Sequence, residues 1–224
     1  MISLQTLIGL AIGAWMAFVG VHAQCLQNAG YIGGYDANTG VFVGAIATDL
    51  VNGVFTLDTS GDPSNYQPVV VFSTRCNDGG PVWIEILKPV NPVVGYVSLI
   101  CGTTQCGECA FTGSVNPFVA MTAADGNPLG QFPTPGFTQS TFGAGAGYGD
   151  PQTQCGENQV WVLGGAVGRQ VLVPSWKDPS GTLHSNLIVL LDETRNQLVV
   201  AANAATYSAG NSATVRQLEL SIFI

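Results

Sequence analysis

The chain has 224 residues, 46% hydrophobic and only 9% charged, with 6 Lys and Arg against 14 Asp and Glu for a formal net charge of -8. A chain this apolar buries a core instead of remaining disordered, and its length suits one sizeable β domain. Its cations, Arg75, Lys88, Arg169, Lys177, Arg195 and Arg216, are scattered singly, which excludes the clustered phosphate contacts of a nucleic-acid partner and adhesion to an anionic membrane surface.

In chain order, the first element is an apolar run from Leu7 to Val21, closed by Val21-His22-Ala23. This is the form of a signal peptide over residues 1–23, cleaved after Ala23. A single-span anchor needs about 20 apolar residues and a basic flank. The first Lys or Arg after the run is Arg75. The expectation is a secreted, extracellular protein with no stable membrane insertion, whose mature part, residues 24–224, forms a single β-rich domain.

From Tyr31 onward, short apolar runs alternate with Gly, Pro, Asn and Asp. They are VFVGAIATDL, GVFTL, PVVVFS, PVWIEIL, VVGYVSLIC, PFVAMT, QVWVLG, RQVLVPSW, SNLIVLL, QLVVAA and VRQLELSIFI. These read as strands. About eleven of them predict an all-β fold, an antiparallel β-sandwich or barrel. In the last run, Val215, Gln217, Glu219, Ser221 and Phe223 alternate with Arg216, Leu218, Leu220 and Ile222, so one face is core. Only Ala201 to Ser208, AANAATYS, suits a short helical turn.

One stretch breaks the strand rhythm. Residues 121–150, MTAADGNPLGQFPTPGFTQSTFGAGAGYGD, are too rich in Gly, Pro and Thr for regular structure and too long for an ordinary connection. They space Phe132, Phe137, Phe142 and Tyr148 evenly. These rings either present themselves to a ligand or pin the loop to the body of the domain. GAGAGYG lacks the Lys-Ser/Thr of a phosphate loop.

Cys25, Cys76, Cys101, Cys106, Cys109 and Cys155 form an even set, half of it crowded into CGTTQCGEC. A zinc or iron-sulfur site would need a fourth soft ligand beside Cys101, Cys106 and Cys109. His184 is the only histidine after residue 23 and is remote in sequence. Cys106-Gly-Glu-Cys109 has redox-motif spacing but no helical context. The remaining reading is three structural disulfides, with no metal and no cofactor.

Catalytic signatures are thin. His184 stands in TLHSNLIVLL without a G-x-S-x-G nucleophile turn. Glu85 in PVWIEIL shares a strand face with Trp83, a plausible sugar platform, and a glycosidase needs a second carboxylate roughly 5 to 10 Å away. Glu157, Asp192, Glu193 and Glu219 are the alternatives, and no motif selects one. Asp58 to Asn65, DTSGDPSN, offers oxygen ligands but misses the EF-hand order. There is no N-x-S/T sequon.

The segment ENQVWVL, then VLVPSWKDPSGTLHSNLIVLL through ATVRQLELSIF, resembles the C-terminal part of small secreted proteins of mushroom-forming fungi. Trp161, Trp176, Asp178, Gly181, Ala205 to Tyr207 and Leu218 to Phe223 carry the likeness, and GYIGGYDANTG is similar to the family's opening. The resemblance implies secretion, a β-rich fold and no established enzymatic activity, with an immunoglobulin E-binding label on some members. No functional residue transfers. The expectation is a non-catalytic module binding a cell-wall glycan, a surface or a protein through Trp83, Trp176 or the Phe132, Phe137, Phe142 and Tyr148 loop. The alternatives are a glycosidase or lyase that uses Glu85, and a surface-active or pore-forming protein.

Overall fold

Each of the eleven apolar runs contains a strand in the computed structural model, which describes residues 25–73, 80–87, 89, 95–101, 111, 116–123, 136–141, 152–164, 170–178 and 180–224. The strands are β1 (Cys25–Asp36), β2 (Phe42–Val51), β3 (Val54–Asp58), β4 (Pro68–Ser73), β5 (Pro81–Ile86), β6 (Tyr96–Cys101), β7 (Pro117–Thr122) and β8 (Gly136–Ser140). They continue as β9 (Gln152–Glu157), β10 (Trp161–Gly164), β11 (Val171–Pro174), β12 (Trp176–Lys177), β13 (Leu183–His184), β14 (Ile188–Asp192), β15 (Gln197–Ala201) and β16 (Val215–Phe223). Among the described residues one α-helix, α1 (Ala204–Asn211), sits where AANAATYS was expected to turn, capped by the Asn203 side chain accepting from the Thr206 N–H.

Five strands exceed the expectation. β1, CLQNAGYIGGYD, is glycine-rich; β9, QTQCGE, is polar; and β12 and β13 have two residues each, so none shows an apolar run. β8, GFTQS, lies inside the 121–150 stretch and corrects its reading as wholly irregular, because pairing with β9 over Gly136 to Ser140 supplies the order that composition does not. The signal peptide falls on residues outside the described ones. No helix among the described residues is long and apolar enough to cross a membrane.

Fourteen strands join one continuous antiparallel sheet that closes on itself. One circuit runs β1–β4–β5–β10–β11–β16 and back to β1. A second runs β1–β2–β3–β7–β6–β5–β4. Closure leaves few strand edges unpaired. The turns follow local chemistry: Asn52 and Gly53, both at positive φ, make the two-residue hairpin between β2 and β3.

The inward faces supply the core. Ile32, Val69, Val71, Val82, Ile84, Ile86, Leu99, Val119, Met121, Trp161, Leu172 and Leu220 are buried in one cluster. Trp161 is a fully buried member of it, and its indole N–H donates to the Val97 carbonyl at 2.9 Å. A smaller cluster places Tyr207 of α1 against Leu190, Val199 and Ala201. There the Tyr207 hydroxyl and the Arg195 guanidinium donate to the buried Asp192 carboxylate at 2.9 and 2.7 Å. Burial alone would raise the Asp192 pKa; the hydrogen bonds from Arg195 and Tyr207 outweigh it, and the carboxyl titrates below its ordinary value.

Because Trp161 both fills volume and satisfies a buried carbonyl, its two roles separate by substitution. Trp161→Phe is expected to lower the urea-unfolding free energy by about 2 kcal/mol, and Trp161→Ala by about 3 to 5 kcal/mol. Equal losses would show that the hydrogen bond, which both variants lack, accounts for the whole effect and that the packing a phenyl ring retains contributes nothing.

Candidate functional site

Strand alternation puts Trp83 and Glu85 on the outward face of β5, since Val82, Ile84 and Ile86 are buried and these two are half-buried. On this face Glu85 lies opposite Val70 of β4, and Val70 opposite Ala29 of β1. Trp83 lies opposite Phe72, their ring centroids 6.0 Å apart. The Trp83 indole nitrogen is shielded from solvent and has no hydrogen-bond partner among the described residues. Burial lifts the Glu85 carboxyl above its ordinary pKa.

The same outward face continues across β4, β1 and β16 into a row of aromatic rings. Pro68 pairs with Tyr31, and Tyr31 with Phe223. Tyr35 meets Phe42 at 5.3 Å, Phe42 meets Phe223 at 5.9 Å, and Phe223 meets Tyr31 at 5.8 Å. Tyr66 ends the row, 5.8 Å from Tyr31 and 6.2 Å from Phe223. These spacings and the mostly edge-on angles are those of stabilising aromatic pairs. Phe42 is 42% exposed and its neighbour Val41 62%, so the row opens to solvent at the β2 end.

Gly33 is the floor of this row. A Cβ there would lie 3.0 Å from the Phe42 ring and 3.1 Å from the Phe223 ring, so the bare backbone lets both rings close over β1 and any side chain would push them outward by at least a few tenths of an ångström. The sequence signal was present: Tyr31 and Tyr35 flank Ile-Gly-Gly at strand period, but Phe42, Tyr66 and Phe223 come from distant segments.

The DTSGDPSN loop serves this row. Asp58 accepts from the Ser60 N–H at 2.9 Å, from the Ser60 hydroxyl, and from the Asn65 amide at 3.2 Å. Asp62 caps the single 3-10 turn at Pro63–Asn65 through the Ser64 N–H. Those donors hold both carboxyls below their ordinary pKa, led by the Ser60 hydroxyl for Asp58 and the Ser64 N–H for Asp62. The loop thereby delivers Tyr66, which bridges to Ala47. Among the described residues no three His, Cys, Asp or Glu side chains group as metal ligands.

The other sequence-predicted residues fall elsewhere. Trp176 is fully buried, edge-on to Phe111 at 6.0 Å, so its ring serves the core and offers no face to a ligand. Phe132, Phe142 and Tyr148 lie outside the described residues, as do Cys76, Cys106 and Cys109; Phe137 lies in β8 and Cys25 begins β1. Cys101 and Cys155 are fully buried opposite one another on β6 and β9, and neither is a free thiol.

No second carboxylate among the four alternatives faces Glu85. Glu157 is opposite Leu99, on the inward side of β6, and Asp192 is engaged by Arg195 and Tyr207. Glu193 pairs with Arg216 at 2.7 Å. Glu219 does face outward, opposite Tyr35, but Ala29 and Tyr35 are six residues apart along β1, about 20 Å at strand rise. A glycosidase pair requires roughly 5 to 10 Å. His184 points its Nε2 at Asp178, 3.2 Å away, while the Ser180 hydroxyl donates to Asp178 instead of meeting the imidazole. The Ser180 hydroxyl leads the contacts that hold Asp178 down to about 2. This is a turn, not a nucleophile and base.

No family model, no curated protein and no solved structure matches the chain.

A carboxyl with a raised folded pKa contributes most to stability while protonated, and that contribution is lost as pH rises through the folded value. Glu85→Gln is therefore expected to give a higher thermal midpoint than the parent protein at pH 7. The gain should disappear once the pH falls below about 4, where the unfolded carboxyl is also protonated. Identical midpoints across the range would mean that Glu85 is fully solvated.

Proposed function

We propose that the protein is a secreted module without catalytic activity that binds an extracellular or cell-wall glycan, surface or protein through the outer face of β5, β4, β1 and β16. On this reading it belongs with the small secreted proteins of mushroom-forming fungi, and its cysteines are structural disulfides. The observation that carries the proposal is the unbroken row Tyr35, Phe42, Phe223, Tyr31 and Tyr66, open to solvent at Phe42. Aromatic rings offer large contact area at little conformational cost, which suits them to recognition. Four of the five rings stand on strands and Tyr66 is held by its bridge to Ala47, so the rings are placed before a ligand arrives and little ordering free energy is lost on binding.

Secretion is supported by the apolar leader and by the cysteine set, with Cys101 and Cys155 buried opposite one another and neither of them free. The non-catalytic reading is supported by Glu85 lacking a carboxylate partner across the face and by His184 being tied to Asp178.

The test is retention and turnover of the purified protein on an array of fungal and plant cell-wall polysaccharides and wall proteins. Retention without cleavage is expected. Phe42→Ala should weaken retention about tenfold, the scale of an aromatic contact residue, while lowering the thermal midpoint only modestly, since the Phe42 ring is 42% exposed. Cleavage of any polysaccharide, or retention untouched by Phe42→Ala, would overturn the proposal.

A further inference from the structure

The outward face carries two aromatic zones. One is the Trp83–Phe72 pair, and the other is the row that begins at Tyr31. Phe72 and Pro68 are four residues apart on β4, and Pro68 lies opposite Tyr31 on the neighbouring strand. At strand rise and strand spacing the zones are about 14 Å apart. Glu85 stands between them along β5, next to Val70. No hydrogen bond or ion pair to the Glu85 carboxylate is found among the described residues, so its oxygens are available as acceptors.

Charge narrows the occupant. Glu85 supplies a carboxylate on this face between the two zones. No described cation is paired with it: Arg195 donates to Asp192, Lys177 belongs to β12, and Arg216 pairs with Glu193 and acts on Asp36 at the far end of β1. An anionic polymer laid along the face would meet the Glu85 carboxylate without a compensating cation. An uncharged polysaccharide does not meet that cost. Its C–H faces lie against aromatic rings, and its hydroxyls donate to a carboxylate.

We infer that this face binds an uncharged, linear polysaccharide along its length, with the Tyr31–Phe42–Phe223 row as one subsite and Trp83, Phe72 and Glu85 as a second. The inference rests on the binding-module reading and specifies its ligand. Two subsites on one rigid surface make the second contact intramolecular once the first has formed, so affinity rises with chain length until both are covered. A disaccharide on the first subsite is too short to gain from the second.

The experiment is titration calorimetry with neutral β-1,3- and β-1,4-linked glucan oligosaccharides, from disaccharide to octasaccharide, alongside a carboxymethylated glucan. Affinity is expected to rise about tenfold or more along one ladder and then level off. Trp83→Ala should abolish the rise and leave disaccharide binding intact, while Phe42→Ala weakens every member. Since Trp83 also packs on Phe72, Glu85→Gln serves as a second variant that preserves the fold, and it should weaken only the longer chains, by about threefold. Length-independent affinity, a ladder unchanged in both variants, or tighter binding of the carboxymethylated glucan would overturn the inference. Retention on wall material or wall protein with no oligosaccharide binding would overturn this inference alone. Silence in both assays would overturn the binding-module reading with it.

Discussion

Strand β1 hydrogen-bonds to β16, β4 and β2, and the backbone of three glycines is what lets those neighbours approach. A Cβ on Gly30 would lie 2.1 Å from the Phe223 carbonyl oxygen, a contact no side chain survives. Gly34 faces inward, where a Cβ would press on Leu57 and Leu218, and Gly33 faces outward beneath Phe42 and Phe223. The strand therefore loses packing of its own and gains position. Two of the closed circuits pass through it, and both would open if it were displaced.

The aromatic row follows from the same constraint. Rings on Tyr31 and Tyr35 stand four residues apart, and the vacant side-chain position at Gly33 is filled from neighbouring strands by Phe42 and Phe223. Covering a glycine with cross-strand aromatics shields backbone that would otherwise be exposed in mid-sheet. The contacts that stabilise this face are thus the same atoms as the surface proposed for recognition. Phe42, at the solvent end, is the most exposed ring of the row.

Polar groups are treated differently at the two ends of the molecule. Near α1, Asp192 is buried and satisfied by Arg195, Tyr207 and two backbone N–H groups, which ties the β14–β15 turn to the helix. On the outward face of β5, Glu85 is desolvated without such donors. A satisfied buried carboxylate stabilises a fold, whereas a desolvated one without donors opposes it. Its presence beside Trp83 is the local inconsistency expected where a surface serves recognition.

Apolar periodicity, Gly/Pro punctuation and the scarcity of charge determined the all-β class, the eleven apolar strands and the short helix, because each of those is a local property of six to ten consecutive residues. They also placed Trp83 and Glu85 on one face, since strand alternation is local. Only the tertiary structure decided that β1, β8 and β9 are strands, because glycine-rich and polar segments become ordered through partners far away in the chain. It alone decided that Trp176 packs inward while Tyr31, Tyr35, Phe42, Tyr66 and Phe223 converge. Those five residues span most of the chain, and what unites them is cross-strand register, which no local pattern encodes.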